Sequence, residues 1–139
     1  MKIQTENIFQ VVELKASPSM VYNIFLNQED HTKFTGMNAE IDPQVGGKFS
    51  ACNGRTTGVV LELVKNKRIV VAWQHKKFPK HHFSVVDMEI EKTDQGCRIK
   101  FNHIGVPSDI DGWLTDNWMN TYWEPLQDYV LEAEHADAH

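Results

Sequence analysis

The chain has 139 residues, of which 41% are apolar and 24% charged, as expected of one globular domain over residues 1–139. Its net charge of −5 argues against a nucleic-acid-binding protein, and no apolar run reaches the roughly 18 residues that span a membrane. The N-terminal residues carry no secretory hydrophobic segment, and two cysteines are too few for a disulfide framework, so we expect a cytoplasmic protein.

The first predicted elements are a strand and two short helices. Side chains from Ile8 to Leu14 alternate between two faces, which is typical of a strand. Ser17-Pro18 then predicts a helix N-terminus, because a serine oxygen accepts from free backbone N–H groups and proline is tolerated in the first turn. A second short helix is predicted from about Gln28 to Phe34, ending at Gly36.

Residues 46–49, Gly-Gly-Lys-Phe, raise the question of a phosphate-binding loop. Such a loop requires Ser or Thr directly after Gly-Lys, and Phe49 stands there instead. Asn53-Gly54 follows as a turn between two strand-like segments, so the stretch predicts β structure. Paired glycines at the start of a strand then indicate a bend or a close backbone approach.

The middle of the chain predicts successive antiparallel strands with one face toward solvent. After a short strand near residues 40–42, the predicted strands cover about residues 47–52, 58–64, 68–75, 82–92 and 97–103. The alternation is clearest where Val86, Met88 and Ile90 share one face and acidic residues share the other.

The last predicted element is a helix over about residues 116–134, after a loop that contains Pro107 and Gly112. Its large apolar residues recur at three- and four-residue steps, forming a broad apolar stripe. Pro125 lies inside the stripe and predicts a kink near Thr121. The order of elements therefore predicts an α+β fold: a curved antiparallel sheet of six to seven strands wrapped around a long C-terminal helix, with a core over about residues 6–134.

Several stretches form a familiar set: Ser17-Pro18, GGKF at 46–49, GVVLE at 58–62, KRIV at 67–70, GVP at 105–107 and YWEPL at 122–126. Together they resemble the START-like (SRPBCC, helix-grip) superfamily. Within it the chain looks like the branch related to the C-terminal domain of the activator of the 90-kDa heat-shock protein ATPase. The resemblance covers roughly residues 9–132 and implies the helix-grip fold, with a chaperone as one kind of partner.

The sequence predicts no metal, no cofactor and no catalytic constellation. Adjacent His81 and His82 point to opposite faces of a strand, and no Cys-x-x-Cys pair occurs. Cys52 has no neighbour that marks a nucleophile, and no Ser/His/Asp order or carboxylate pair is evident. His103 is the one candidate acid or base, although a histidine that bonds a backbone carbonyl near the end of its strand is the more common explanation.

Our first hypothesis is a non-catalytic binding protein that holds a small hydrophobic or aromatic ligand between the sheet and the C-terminal helix. A bent sheet over a kinked helix leaves room for an apolar cavity, and aromatic side chains with a polar atom can orient a ligand there. The same aromatics could instead form an ordinary core. The residues predicted to line the cavity are Phe49, Trp73, Met88, Phe101, His103, Trp118 and Tyr122.

A protein-interaction module is the second hypothesis. Residues 65–80 contain six basic residues and no acid, whereas residues 101–139 contain eight acids and no Lys or Arg. Lys76, Lys77 and Lys80 are predicted to bind an acidic protein surface such as that of a chaperone, and simple solvated faces are the alternative. The third hypothesis is an enzyme acting on a hydrophobic substrate, but we expect binding rather than catalysis.

Overall fold

The computed structural model describes residues 3–137. All seven strands belong to one antiparallel sheet, in the order β1-β7-β6-β5-β4-β3-β2. The elements in chain order are β1 (Thr5–Leu14), α1 (Pro18–Leu26), α2 (Gln28–Thr35), β2 (Glu40–Ile41), β3 (Lys48–Ala51), β4 (Thr56–Val64), β5 (Arg68–His75), β6 (Ser84–Thr93), β7 (Gly96–Pro107), α3 (Asp111–Asn117), a π-helical segment (Trp118–Trp123) and α4 (Glu124–Asp137).

Helix α1 begins where the sequence predicts, and α2 begins and ends close to its predicted bounds. Ser17 Oγ accepts from the backbone N–H of Met20 at 3.1 Å, and Pro18 opens α1. The side chain of Asn27 caps α2 in the same way, and Gly36 ends α2 in the left-handed conformation with φ 73°. Phe25 of α1 and Phe34 of α2 both pack near Tyr122 of the C-terminal helical run, with ring centroids 6.4 and 5.7 Å from that of Tyr122.

The sheet is curved, and its inner face carries the core. Val86, Met88 and Ile90 on β6 are all buried, as their predicted shared face requires. The strand register shifts between Glu6 and Ile8 on β1, and again between Val60 and Glu62 on β4. Such β-bulges bend a strand and increase its twist, which helps the sheet to wrap around the helix.

Gly46 and Gly47 form the tight turn that leads into β3. Gly46 has φ 84°, and a Cβ on Gly47 would lie 2.3 Å from the backbone oxygen of Asp42. Gly46 N–H donates to the Val60 carbonyl at 2.8 Å, and Val60 N–H donates to the Gly47 carbonyl at 2.9 Å. The glycines thus allow a close backbone approach that ties the turn to β4 beside its bulge.

The last helix begins earlier than predicted. α3 starts at Asp111, so the prediction of a start near residue 116 was wrong, as was the assignment of Gly112 to a loop. Burial of Leu114 against the core compensates for the low helix propensity of this glycine. Among residues 3–137, no helix is long and apolar enough to cross a membrane.

A π-helical segment stands at the irregularity predicted near Thr121. The N–H of Glu124 donates to the carbonyl of Met119, five residues earlier. Pro125 has no N–H to offer to the carbonyl of Thr121, so the regular α-helical pattern is interrupted at this point. The resulting wide turn places Tyr122 and Trp123, two consecutive residues, both in the core.

Candidate functional site

An apolar cavity of about 70 Å³ lies between the sheet and the C-terminal helical run. Its base is a row of three valines on neighbouring strands: Val71 on β5 pairs in register with Val60 on β4 and with Val86 on β6. Valine side chains are short, so this row leaves space beneath the helix that longer residues would fill. The cavity therefore follows from the register of β4, β5 and β6.

Larger side chains surround the valine row. Trp73 is two residues after Val71 on β5 and therefore lies on the same face of the sheet. Its ring centroid is 5.7 Å from that of Trp118 on the π-helical segment. Met88 of β6 and Tyr122 also line the cavity. The walls are therefore mainly aromatic and aliphatic, as in most small-molecule sites.

The outer part of the cavity lies between α1, β2 and β3, where Leu26, Ile41 and Phe49 line it and are partly exposed. Phe49 lies opposite Gly58 in the β3–β4 register. A Cβ on Gly58 would lie 2.5 Å from Cζ of Phe49, so the ring rests on the bare backbone of the neighbouring strand. Gly58 thereby leaves room for the ring of Phe49 at the outer end of the cavity.

Five of the seven residues predicted to line a cavity do line it: Phe49, Trp73, Met88, Trp118 and Tyr122. The other two, Phe101 and His103, are fully buried behind this wall. The Phe101 ring centroid is 4.6 Å from that of Trp118 and 5.0 Å from that of Trp123. Phe101 and His103 thus support the wall from behind and are not part of the lining.

His103 is satisfied on both ring nitrogens. The indole N–H of Trp118 donates to His103 Nδ1 at 3.0 Å, so the ring proton lies on Nε2. Nε2 donates to Ser84 Oγ at 2.7 Å, and that hydroxyl donates to the carbonyl of Trp73 at 3.1 Å. Burial lowers the pKa of His103 to about 3, so the ring is neutral at physiological pH. The arrangement is that of a core histidine without access to a substrate.

A second buried network, which the sequence did not reveal, lies in the cavity wall. His31 Nδ1 is 3.1 Å from the carbonyl of Phe25, and His31 Nε2 is 3.0 Å from the Tyr122 hydroxyl. That hydroxyl is also 3.8 Å from Cys52 Sγ. Burial lowers the pKa of His31 and raises the pKa values of Tyr122 and Cys52, so all three groups are held neutral.

The basic residues of segment 65–80 do not form one surface. Lys65 and Lys67 lie at one end of β5, and Lys76 follows its other end, roughly 25 Å away for a strand of this length. Lys76 and Lys80 line a surface groove together with Arg55, a residue that the sequence analysis did not include.

Lys77 lies outside that groove. Its Nζ is 4.8 Å from the centre of the Trp113 ring, which is a cation–π contact. In the part of the chain that the structure describes, no cluster of three or more His, Cys, Asp or Glu side chains could hold a metal ion.

Comparison with known sequences identifies relatives over most of the chain. The family described as "Activator of Hsp90 ATPase homolog 1-like protein" matches residues 15–130. Human "Activator of 90 kDa heat shock protein ATPase homolog 1" is 27% identical over 126 residues, which cover 91% of this chain and 37% of the human protein. The mouse homolog 2 protein is 26% identical, with 84% and 35% coverage. This chain thus spans little more than a third of these relatives' length.

Solved structures confirm the predicted α+β helix-grip fold. An HSP90 activator from Plasmodium falciparum has a TM-score of 0.79 at 22% identity, covering 91% of this chain and 96% of that one. The Aha1 dimer from Colwellia psychrerythraea gives a TM-score of 0.74 at 21% identity, with 88% and 94% coverage. With the family match over residues 15–130, the chain belongs to the Activator of Hsp90 ATPase homolog 1-like family.

Proposed function

We propose that this domain is a non-catalytic binding protein that holds a small hydrophobic or aromatic ligand between the sheet and the C-terminal helical run. The observation that supports the proposal is the cavity above the valine row formed by Val60, Val71 and Val86. An apolar molecule placed there gains the free energy of leaving water, about 25 cal/mol for each Å² of apolar surface buried. The surrounding aromatic rings add shape selectivity.

The size of the cavity restricts the ligand. Its volume of about 70 Å³ is roughly half that of an engineered cavity known to bind benzene, and well below the several hundred Å³ of drug-sized sites. A ligand the size of one aromatic ring therefore requires the outer end to widen. Phe49 is the side chain whose movement would permit this, because it is partly exposed and its ring tip lies against the bare backbone of Gly58.

Tryptophan fluorescence tests the proposal directly, since Trp73 and Trp118 line the cavity. We expect titration with toluene to give a saturable change in emission. The variant Val86→Leu fills part of the cavity and should weaken binding at least about tenfold, equivalent to 1.4 kcal/mol. Val85→Leu is the matched control, because Val85 precedes Val86 on β6 and points to the opposite face of the sheet.

Two results would contradict ligand binding in the cavity. One is a wild-type protein whose emission does not respond to toluene, with no small molecule released when the natively purified protein is denatured and examined by mass spectrometry. The other is equal weakening by Val86→Leu and Val85→Leu, which would place any binding elsewhere. Circular dichroism and urea unfolding of both variants establish that they remain folded.

A second candidate is a protein-interaction module for an acidic chaperone surface. The observation that favours it is the groove lined by Arg55, Lys76 and Lys80, in a protein whose net charge is −5. Cations gathered on one side of an acidic protein attract an acidic partner and orient its approach. The names of the relatives suggest a 90-kDa heat-shock protein as the partner to test. Binding of this kind should weaken as salt rises.

A further inference from the structure

The hydroxyl of Tyr122 donates its proton to His31, and this direction follows from the carbonyl of Phe25 on the other side of the His31 ring. A carbonyl oxygen only accepts hydrogen bonds, so the 3.1 Å contact from the Phe25 carbonyl to His31 Nδ1 requires a proton on Nδ1. A neutral imidazole has one N–H, so His31 Nε2 carries a lone pair. The Tyr122 hydroxyl, 3.0 Å from Nε2, is therefore the donor in that contact.

The Tyr122 oxygen retains accepting capacity only. Its single proton is committed to His31, so the thiol of Cys52, 3.8 Å away, can meet this oxygen only as a donor. A thiol is a weak donor and this contact is long, so a hydroxyl or N–H group of a ligand can replace it at the accepting lone pair of the phenol oxygen. The side chains of Tyr122 and of its partner His31 both line the cavity.

No other strong acceptor is present on the lining side chains. The indoles of Trp73 and Trp118 offer N–H donors and no acceptor, and that of Trp118 is already bonded to His103. Both nitrogens of His31 are occupied. A donor group on a bound molecule therefore meets one strong side-chain acceptor, the oxygen of Tyr122.

We propose that the ligand of this cavity is a small apolar molecule bearing one hydroxyl or N–H group, such as a phenol or an alcohol, which donates a hydrogen bond to the Tyr122 oxygen. This inference rests on the proposed ligand-binding function and adds the chemical class of the ligand. A ligand whose only polar group is a carbonyl or a carboxylate gains nothing from Tyr122, because the proton of that residue is used by His31.

Phenol and toluene, which have nearly the same shape, provide the test. Their dissociation constants are measured by tryptophan fluorescence in the wild type and in the double variant His31→Phe/Tyr122→Phe, because Tyr122→Phe alone would free Nε2 of His31 as a new acceptor. The wild-type preference for phenol over toluene should exceed that of the double variant by about fivefold, the value of one hydrogen bond. Comparing the two ratios cancels the different cost of removing each ligand from water. Equal ratios in the two proteins would overturn the inference.

His31→Phe supplies a second arm. Without Nε2 as acceptor, the proton of Tyr122 becomes available to a ligand. The preference for benzaldehyde, which has only an accepting oxygen, over toluene should then be several-fold larger in His31→Phe than in the wild type. Equal preferences in the two proteins would contradict the assigned proton direction. ¹⁵N NMR of the His31 ring checks the same point, with protonated Nδ1 and unprotonated Nε2 expected.

The results separate this inference from the function on which it rests. If toluene binds and the wild-type preference for phenol over toluene equals that of the double variant, the hydroxyl-bearing ligand class is wrong and the apolar cavity site stands. If neither toluene nor phenol binds the wild type, both proposals fail together.

Discussion

Trp118 donates its indole N–H to Nδ1 of His103 at 3.0 Å, and this contact ties the C-terminal helical run to the centre of β7. Nε2 of His103 in turn donates a hydrogen bond to Ser84 of the neighbouring strand β6. Three elements distant in sequence are thus joined through one neutral imidazole in the core. Buried polar chains of this kind are costly to break, because each separated partner remains without water.

Replacement of His103 by leucine should destabilise the protein by about 2–4 kcal/mol. The substitution leaves the N–H of Trp118 and one side of the Ser84 hydroxyl buried without a partner, at roughly 1–3 kcal/mol for each group. Urea unfolding followed by circular dichroism measures the loss. Asn102→Leu is the control, since Asn102 lies on the outer face of the same strand, and a change within about 0.5 kcal/mol is expected. Equal losses would contradict the structural role of the network.

The free energy of unfolding should decrease as the pH is lowered below about 6.5, because the histidines of the unfolded chain take up protons near that value. The pKa of folded His103 is lowered to about 3, and burial lowers the pKa values of His31 and His75 as well. Above pH 6.5 neither state binds the proton. Below it the unfolded state alone does, so His103 contributes a loss of up to about 1.4 kcal/mol per pH unit until the folded pKa is reached.

Urea unfolding of the wild type and of His103→Phe between about pH 7.5 and 5 tests this pH dependence. That range stays above the ordinary titration of the carboxylates. The variant should show a shallower decline of the free energy of unfolding than the wild type. Parallel curves would mean that His103 takes up its proton in the folded protein too.

Gly58→Ala should cost about 2–4 kcal/mol of stability, because the added Cβ would lie 2.0 Å from the carbonyl oxygen of Ala72 and 2.5 Å from Cζ of Phe49. Gly112→Ala provides a matched control in α3. No atom lies within 4 Å of its added Cβ, so a gain of about 0.5–1 kcal/mol from helix propensity is expected. Thermal unfolding of both variants measures these opposite effects; a destabilised Gly112→Ala would contradict them.

Reversing the charge of Lys76 and Lys80 to glutamate should weaken binding to a 90-kDa heat-shock protein at least about tenfold at low salt, if the second candidate function holds. The control is Lys65→Glu with Lys67→Glu, which changes the net charge equally at the far end of β5. Isothermal titration calorimetry measures the dissociation constants of the wild type and both variants at about 0.05 and 0.5 M salt. The effect of charge reversal should be smaller at the higher concentration, where exposed charges are screened. Similar weakening by both pairs would indicate a general charge effect.

The sequence predicted correctly those parts of the fold that local residues determine. Ser17, Pro18 and Gly36 act through their own backbone geometry, and the alternation along β6 and β7 reports one buried face. The start of the last helix was missed because burial of Leu114 outweighs the poor propensity of Gly112. Pro125 indicates that a hydrogen bond is missing, but it does not specify how the helix rearranges around that gap.

The candidate site was predictable only in part, because its position depends on which strands lie beneath the cavity. Alternation placed Met88, Phe101 and His103 on the inner face, but only the structure shows that the cavity lies over β4, β5 and β6, which include Met88, and not over β7, which carries the other two. His31 was not predicted as a site residue, because its partner Tyr122 is 91 residues away in the sequence. The available signal was its spacing of three residues from Phe34, which puts a histidine on the buried face of α2.

The π-helical segment has a consequence for the alignment of related sequences. Because its hydrogen bonds reach back five residues and not four, it holds one residue more than the α-helical turn it replaces. A relative with an uninterrupted α-helix should therefore align correctly only with a single-residue gap between Trp118 and Trp123. Without the gap, the buried positions of Leu126 and Val130 would be matched to surface positions of the relative, and the shared helix face would be concealed.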